Sequence, residues 1–192
     1  GSEMCIRDSL CDGAAHQGVA AFAAAHEYAE LDDIFALAQS RNESPFIVVC
    51  DSLEDPHNLG AILRSAEAAG VHGVIIPKRN SVTLNYTVAK TSAGAIEYVP
   101  VVKVANLPAV IDELKARGVW IFGADMDGTD YTSLDYSGSI ALVIGSEGKG
   151  IGRLVREKCD FIASMPMRGK INSLNASVAA GILMFEAAKH RN

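Results

Sequence analysis

From Phe46 onward, short β-branched runs alternate with segments of helical spacing, and this alternation restricts the fold more than any other feature of the chain. The runs are FIVVC (46–50), GVII (73–76), YVPVV (98–102), VWIFG (119–123), IALVIG (140–145) and FIAS (161–164). Between them, amphipathic spacing predicts helices near 56–69, 86–93, 107–117, 151–158 and 174–189. Strand–helix alternation of this kind indicates an α/β fold: a largely parallel sheet covered by helices. Before Phe46, residues 32–41 read as a helix after an acidic turn, and Ser44-Pro45 ends it, so a domain boundary is expected there. The stretch from Asp125 to Gly138, rich in Asp, Gly, Thr and Ser, reads as an irregular connection.

At 192 residues the chain has room for one substantial domain and a short leader, not two full-sized domains. No apolar run approaches the roughly 20 residues that span a bilayer, so no membrane is expected. Cys5, Cys11, Cys50 and Cys159 form no C-x-x-C pair and no zinc-like spacing; a reducing cytoplasm and no metal are the expectation. Gly1–Gly13 lacks the basic and apolar regions of a signal peptide and reads as a cloning or sequence-assembly remnant.

The formal net charge of -6 would disfavour a nucleic-acid partner if it were spread evenly. It is not: residues 1–45 hold eight acids against Arg7 and Arg41, which leaves the rest of the chain neutral. Within that remainder, residues 145–192 carry eight Lys/Arg against four acids, so a local basic surface is compatible with the composition.

Three segments call for a chemical explanation. In DSLEDPHNLGAILRSAEAA (51–69), Asp55 is suited to cap a helix and Pro56 to begin it. Helical spacing places Leu59, Ile62, Leu63 and Ala66 on one face and His57, Gly60, Ala61, Arg64 and Ala68 on the other. Arg64 is then either a solvated arginine or a functional one, flanked by residues small enough for a ligand or another backbone to approach. Asn58 sits in the first turn, at the carboxyl end of a strand, where ligands of open α/β sheets bind.

The second segment, IGSEGKGIG (144–152), is a glycine-rich turn after a strand. Such a turn lets backbone groups approach a flat or anionic ligand. Its spacing fits neither the phosphate loop of ATPases nor the dinucleotide fingerprint. The third, SMPMRGKINSLNASVAAGILMFE (164–186), joins a Met-Pro-Met turn and a basic Arg168-Gly-Lys170 loop to a helix apolar nearly all round, which predicts burial. Ser173 reads as its N-cap.

In order and spacing, these segments resemble the three signature motifs of SpoU-class RNA methyltransferases, members of the SPOUT superfamily. D-P-x-N-x-G-x-x-x-R is present as Asp55-Pro56-His57-Asn58-Leu59-Gly60 through Arg64. The second motif is Ile144 to Gly150, and the third is Met165-Pro166-Met167, Gly169, Ser173-Leu174-Asn175 and Ser177-Val178-Ala179. The resemblance covers roughly Phe46 to Glu186. It is nearest to the subgroup that methylates a guanosine ribose in bacterial 23S ribosomal RNA, through the residues around Val74–Val101 and Tyr28–Arg41.

The resemblance implies a six-stranded parallel sheet with a deep C-terminal trefoil knot, helices on both faces, and a homodimer. It implies S-adenosylmethionine as cofactor, held by backbone groups near Gly145, Met165 and Leu174. Asn58, Arg64, Glu147, Ser173 and Asn175 take catalytic or pocket-shaping roles, with Arg64 as base or phosphate clamp. Lys149, Arg153, Arg168 and Lys170 become candidate RNA phosphate contacts. Residues 46–192 would be the catalytic domain and 14–45 a linker plus the tail of an L30e-like RNA-binding domain, around His16–Ala25. A tRNA ribose methyltransferase and a non-catalytic RNA-binding or assembly protein of the same fold remain as alternatives.

Overall fold

The computed structural model of the protein describes residues 26–191. The leader at 1–13 and the His16–Ala25 segment read above as a domain tail lie outside the described residues. Six strands form one sheet: β1 (Phe46–Cys50), β2 (Gly73–Pro77), β3 (Val101–Val104), β4 (Trp120–Asp130), β5 (Ile140–Ile144) and β6 (Phe161–Ser164). All pair in parallel, in the order β3-β2-β1-β5-β4-β6. The helices are α1 (Leu31–Ser40), α2 (Pro56–Ala68), α3 (Tyr86–Thr91), α4 (Leu107–Ala116), α5 (Arg153–Lys158) and α6 (Ala176–Ala188).

The two-residue period of a strand sends alternate side chains to opposite faces, and both faces here are covered. Phe46, Val48 and Cys50 of β1 join Leu59, Ile62 and Leu63 of α2 and Ala180, Leu183 and Met184 of α6 in one core. Ile47 and Val49 join Ile34 of α1, Ile111 and Leu114 of α4 and Val155 of α5 in a second. The chain winds from β1 outward to β3, then returns so that β5 lies beside β1. That reversal opens a crevice at the carboxyl ends of β1 and β5, where ligands of open α/β sheets bind. Asn58 follows one strand and Glu147 the other.

The six strands and the sequence-derived helices are present, with several differences. The run YVPVV begins its strand only at Val101: Ala95–Glu97 form a 3-10 turn, Tyr98 is exposed, and Pro100 has no N–H to give a ladder. The stretch from Asp125 is not simply a connection, because β4 continues to Asp130 and pairs with β6 on both sides of a bulge between Ala124 and Thr129. Gly128 permits this: a Cβ there would stand 2.4 Å from the carbonyl oxygen of Ile162.

Gly60, assigned by helical spacing to the face of Arg64, is buried instead. A Cβ on it would fall 1.7 Å from Thr91 Oγ1, so the missing side chain is where α3 packs on α2. Helix α6 is buried on one side only; Val178 and Phe185 on its other side are each about half exposed. Its cap is Asn175, not Ser173: the Asn175 Oδ1 accepts from the backbone N–H groups of Ser177 and Val178.

Candidate active site

The loops that follow β1, β5 and β6 meet at the carboxyl edge of the sheet, and three polar side chains join them. Asn58 Nδ2 donates to Glu147 Oε1 at 3.1 Å, and Asn175 Nδ2 donates to Asn58 Oδ1 at 3.0 Å. Asn175 Nδ2 also makes a short hydrogen bond to Glu147 Oε1, which the Ala176 N–H approaches at 3.4 Å. One carboxylate oxygen thus receives donors from α2 and from the start of α6. Asn58 is 6% exposed, and a buried amide of this kind must have its groups satisfied. The first, second and third sequence motifs are therefore one hydrogen-bonded unit, although they lie up to 117 residues apart.

The turn after β5 is closed on itself. Ser146 N–H donates to Gly150 O at 3.2 Å and Gly150 N–H to Ser146 O at 2.9 Å, and Gly148 and Gly150 take positive φ. Gly145 must lack a side chain for a different reason: its Cβ would stand 2.1 Å from the carbonyl carbon of Gly150. Asp51, at the end of β1, holds the far side of the turn by accepting from Gly152 N–H at 2.7 Å, while its own N–H donates to Ile144 O at 2.7 Å.

Beside this unit lies a cavity of about 280 Å³. Gly145, Glu147, Lys149, Met165, Ser173 and Leu174 line it, together with Ile144, Ala176, Ala179 and the end of the straight part of β4. The walls are mostly apolar, and their charged side chains are Glu147, Asp125 and Lys149. Asp125 is steered from behind: Arg156 Nε donates to its Oδ2 at 2.7 Å, and an Arg156 terminal nitrogen donates to Asp127 O at 3.1 Å.

The structure thus brings together Asn58, Glu147 and Asn175, and it sets Gly145, Met165, Ser173 and Leu174 around the cavity. Arg64 does not line it; its side chain is exposed on α2 and has no polar partner among the described residues. Lys149, on the cavity lining, and Arg168 and Lys170, in the loop after β6, are exposed and have no side-chain partner among the described residues, whereas Arg153 is engaged with Glu157 at 2.8 Å.

Sequence reasoning missed Asp51, Asp125 and Met126. Asp51 carried a usable signal, an acid directly after a buried parallel strand. Asp125 and Met126 carried none, because the polar stretch around them concealed a strand.

Neither described cysteine is suited to nucleophilic work. Burial, reinforced by Asp51, pushes the Cys50 thiol up to about 12, and burial pushes Cys159 up to about 11. Among the described residues, no group of three or more His, Cys, Asp or Glu is placed to hold a metal ion.

Comparison with known proteins places this site in context. The model of the SpoU rRNA Methylase family matches residues 45–185. The chain is 57% identical over 178 residues to YacO of Bacillus subtilis (strain 168), a protein assigned to the TrmH family of tRNA/rRNA methyltransferases; the match covers 92% of this chain and 72% of that one. It is similar in structure to the SpoU methyltransferase AviRb from Streptomyces viridochromogenes, solved in complex with the cofactor AdoMet, with a TM-score of 0.75 and 30% identity. That match covers 85% of this chain and 65% of AviRb, so the chain spans less than two thirds of that protein. The A. aeolicus TrmH/SpoU tRNA modifying enzyme matches with a TM-score of 0.69 and 28% identity, over 83% of this chain and 84% of that one.

Proposed function

Because the chain belongs to the SpoU rRNA methylase family of RNA methyltransferases, we propose that it transfers a methyl group from S-adenosylmethionine to the ribose 2′-hydroxyl of a guanosine in 23S ribosomal RNA. The observation that carries this reading is the cluster of Asn58, Glu147 and Asn175 beside a mostly apolar cavity. The cavity's chemistry suits the cofactor. Ile144, Met165 and Leu174 offer apolar surface for a flat base, backbone groups near Gly145, Met165 and Leu174 offer its hydrogen bonds, and Glu147 and Asp125 offer negative charge for a sulfonium. When bound, the cofactor supplies an electrophilic methyl group.

The protein's part is alignment and handling of the hydroxyl proton. Asn58 and Asn175 hold Glu147 and so fix the turn after β5 against the start of α6. Arg64, outside the cavity, grips the target phosphate and polarises the 2′-hydroxyl; a guanidinium with pKa above about 12 is a poor base. Ser173 shapes the cavity rim. Lys149, Arg168 and Lys170 meet neighbouring phosphates, and Arg153, shared with Glu157, contributes less.

The protein acts as a homodimer through the exposed apolar side of α6. Gly181 on that helix lies beside Ser65, the residue after Arg64 on α2. The same reading gives the C-terminal region a deep trefoil knot, as the resemblance of its motifs implies; the loops after β5 and β6 line one cavity. It also places the protein in the cytoplasm and without a metal; no described helix is long and apolar enough to cross a membrane. A tRNA ribose is the second reading, favoured by the likeness to a tRNA modifying enzyme over 84% of its length.

Transfer of label from radioactive S-adenosylmethionine to unmodified 23S ribosomal RNA and to bulk tRNA tests the proposal, with Arg64→Ala as control. Label on 23S ribosomal RNA, lost in the variant while calorimetric cofactor binding persists, is the expected result. Label confined to tRNA moves the substrate to the second reading. Absence of both transfer and cofactor binding marks a non-catalytic RNA-binding or assembly protein.

A further inference from the structure

Two groups stand out among the basic side chains of the described residues. On α4 and α5, Lys115, Arg117, Arg153, Arg156 and Lys158 all have carboxylate partners within 3.0 Å. After the carboxyl ends of β2, β5 and β6, by contrast, Lys78, Arg79, Lys149, Arg168 and Lys170 have no hydrogen bond or ion pair from their side chains among the described residues, and neither has Lys90 on α3. In a chain of net charge -6, carboxylates are abundant, so leaving these cations unpaired keeps them open to an external anion.

Lys149, Arg168 and Lys170 belong to the motif loops already discussed. Lys78 and Arg79 do not. They directly follow β2, on the other side of β1 from the cavity. Their loop has a fixed base: Lys78 N–H donates to Val104 O at 2.8 Å, Val82 N–H to Leu53 O at 2.8 Å and Leu84 N–H to Tyr28 Oη at 2.9 Å. Asn80, with φ of 52°, turns the chain between these anchors and leaves Lys78 and Arg79 exposed. Glu54, next to Leu53, makes no ion pair with either. Lys90 is exposed on α3, one residue before the Thr91 that covers Gly60 of α2.

Strand order gives the spacing. At about 4.8 Å per strand, the end of β2 lies roughly 10 Å from that of β5 and roughly 19 Å from that of β6, with Asn58 and the cavity between.

We infer that Lys78, Arg79 and Lys90 form a second phosphate-binding strip, so that the RNA strand lies across the crest of the sheet and is held on both sides of the reacting ribose. The inference rests on the reading of RNA as substrate. Removal of Lys78 and Arg79 then eliminates two phosphate contacts on a single strand. Counterion release predicts a salt slope shallower by about 1.4 and, at 0.15 M salt, binding weaker by roughly ten-fold.

The experiment uses the full chain with unmodified 23S ribosomal RNA and with bulk tRNA. Lys78→Gln/Arg79→Gln and Lys90→Gln are compared with Arg41→Gln, an exposed arginine before β1 at the opposite edge. RNA Kd is measured against salt, KM and kcat by label transfer, and cofactor Kd by calorimetry. The expected result is a raised RNA Kd and KM and a shallower salt slope in the double variant, a smaller change of the same kind in Lys90→Gln, and unchanged kcat and cofactor Kd. Wild-type Kd and slope in the double variant, or an equal loss in Arg41→Gln, overturns the strip while wild-type transfer leaves the enzyme reading intact. RNA binding without transfer in the wild-type protein defeats the catalytic reading alone, since the strip is still judged by Kd and slope.

Discussion

Gly145→Ala isolates the turn that joins the second motif to the cavity. The added methyl would stand 2.1 Å from the carbonyl carbon of Gly150, 2.3 Å from its oxygen and 2.4 Å from the nitrogen of Ile151. All three are backbone atoms, so no side-chain rotation relieves the contact. Ordinary van der Waals separation requires the two arms of the turn to part by more than an ångström, which breaks the Ser146–Gly150 pair of hydrogen bonds. Each such bond contributes about 0.5–1.5 kcal/mol net, so the turn loses roughly 1–3 kcal/mol. Because the same turn lines the cavity and carries Glu147, cofactor affinity is expected to fall by a similar free energy, roughly 5- to 150-fold. Calorimetric titration with S-adenosylmethionine and thermal unfolding read the two consequences. Gly169→Ala is the control, since a Cβ there meets nothing within 4 Å. Wild-type affinity and melting temperature in Gly145→Ala would show that the close approach of Gly145 to Gly150 does not hold the cavity in shape.

His72 supplies a pH prediction. Its Nδ1 accepts from Phe46 N–H at 2.9 Å, so the neutral ring carries its proton on Nε2 and donates to Glu43 Oε2 at 2.8 Å. Burial lowers its pKa, outweighing Glu43, with Arg191 and Arg41 acting in the same direction as burial. The unfolded chain then binds the proton first, and the stabilisation, complete above the usual value of about 6.5, is lost as pH falls towards the folded value, at up to about 1.4 kcal/mol per pH unit. Chemical unfolding between pH 7 and 5.5 should show this slope in the wild-type protein and lose it in His72→Asn; an identical slope in both rejects it.

Glu147→Ala removes the acceptor of the buried Asn58 amide and should cost about 1–3 kcal/mol in urea unfolding, whereas Glu147→Gln retains an acceptor oxygen and should lose less than half as much. Equal losses would show that the carboxylate's charge, not its oxygen, supports the cluster. Phe185→Glu places a charge on the exposed apolar side of α6 and should convert the proposed dimer to monomer in light scattering; a dimeric mass kept by the variant refutes the α6 contact, and a monomeric wild-type protein refutes the dimer.

Much of the architecture was legible in the chain because buried strands and capped helices have local signatures. Asp55 caps α2, accepting from His57 N–H at 2.8 Å, and Pro56 begins it, as read from two residues. The apolar runs 46–50, 140–144 and 161–164 became strands where they stood. The resemblance of the motifs also offered Asn58, Glu147 and Asn175 as candidates, but not that one carboxylate oxygen would unite them across loops distant in sequence.

Other assignments required the folded chain because they depend on which surfaces meet. Helical periodicity put Gly60 beside Arg64 on an outer face; only the packing of α3 shows that Thr91 occupies the space its side chain would fill. The polar residues from Asp125 to Asp130 have weak strand propensity on their own, and the partner β6, with Gly128 close against Ile162, makes them a strand. Sequence order likewise cannot show that the unpaired cations after β2, β5 and β6 share one edge. Local composition determined the elements and the residue types available for chemistry. The strand order β3-β2-β1-β5-β4-β6 decided which of them face one another, because pairing between distant segments is set by the burial of whole faces rather than by neighbouring residues.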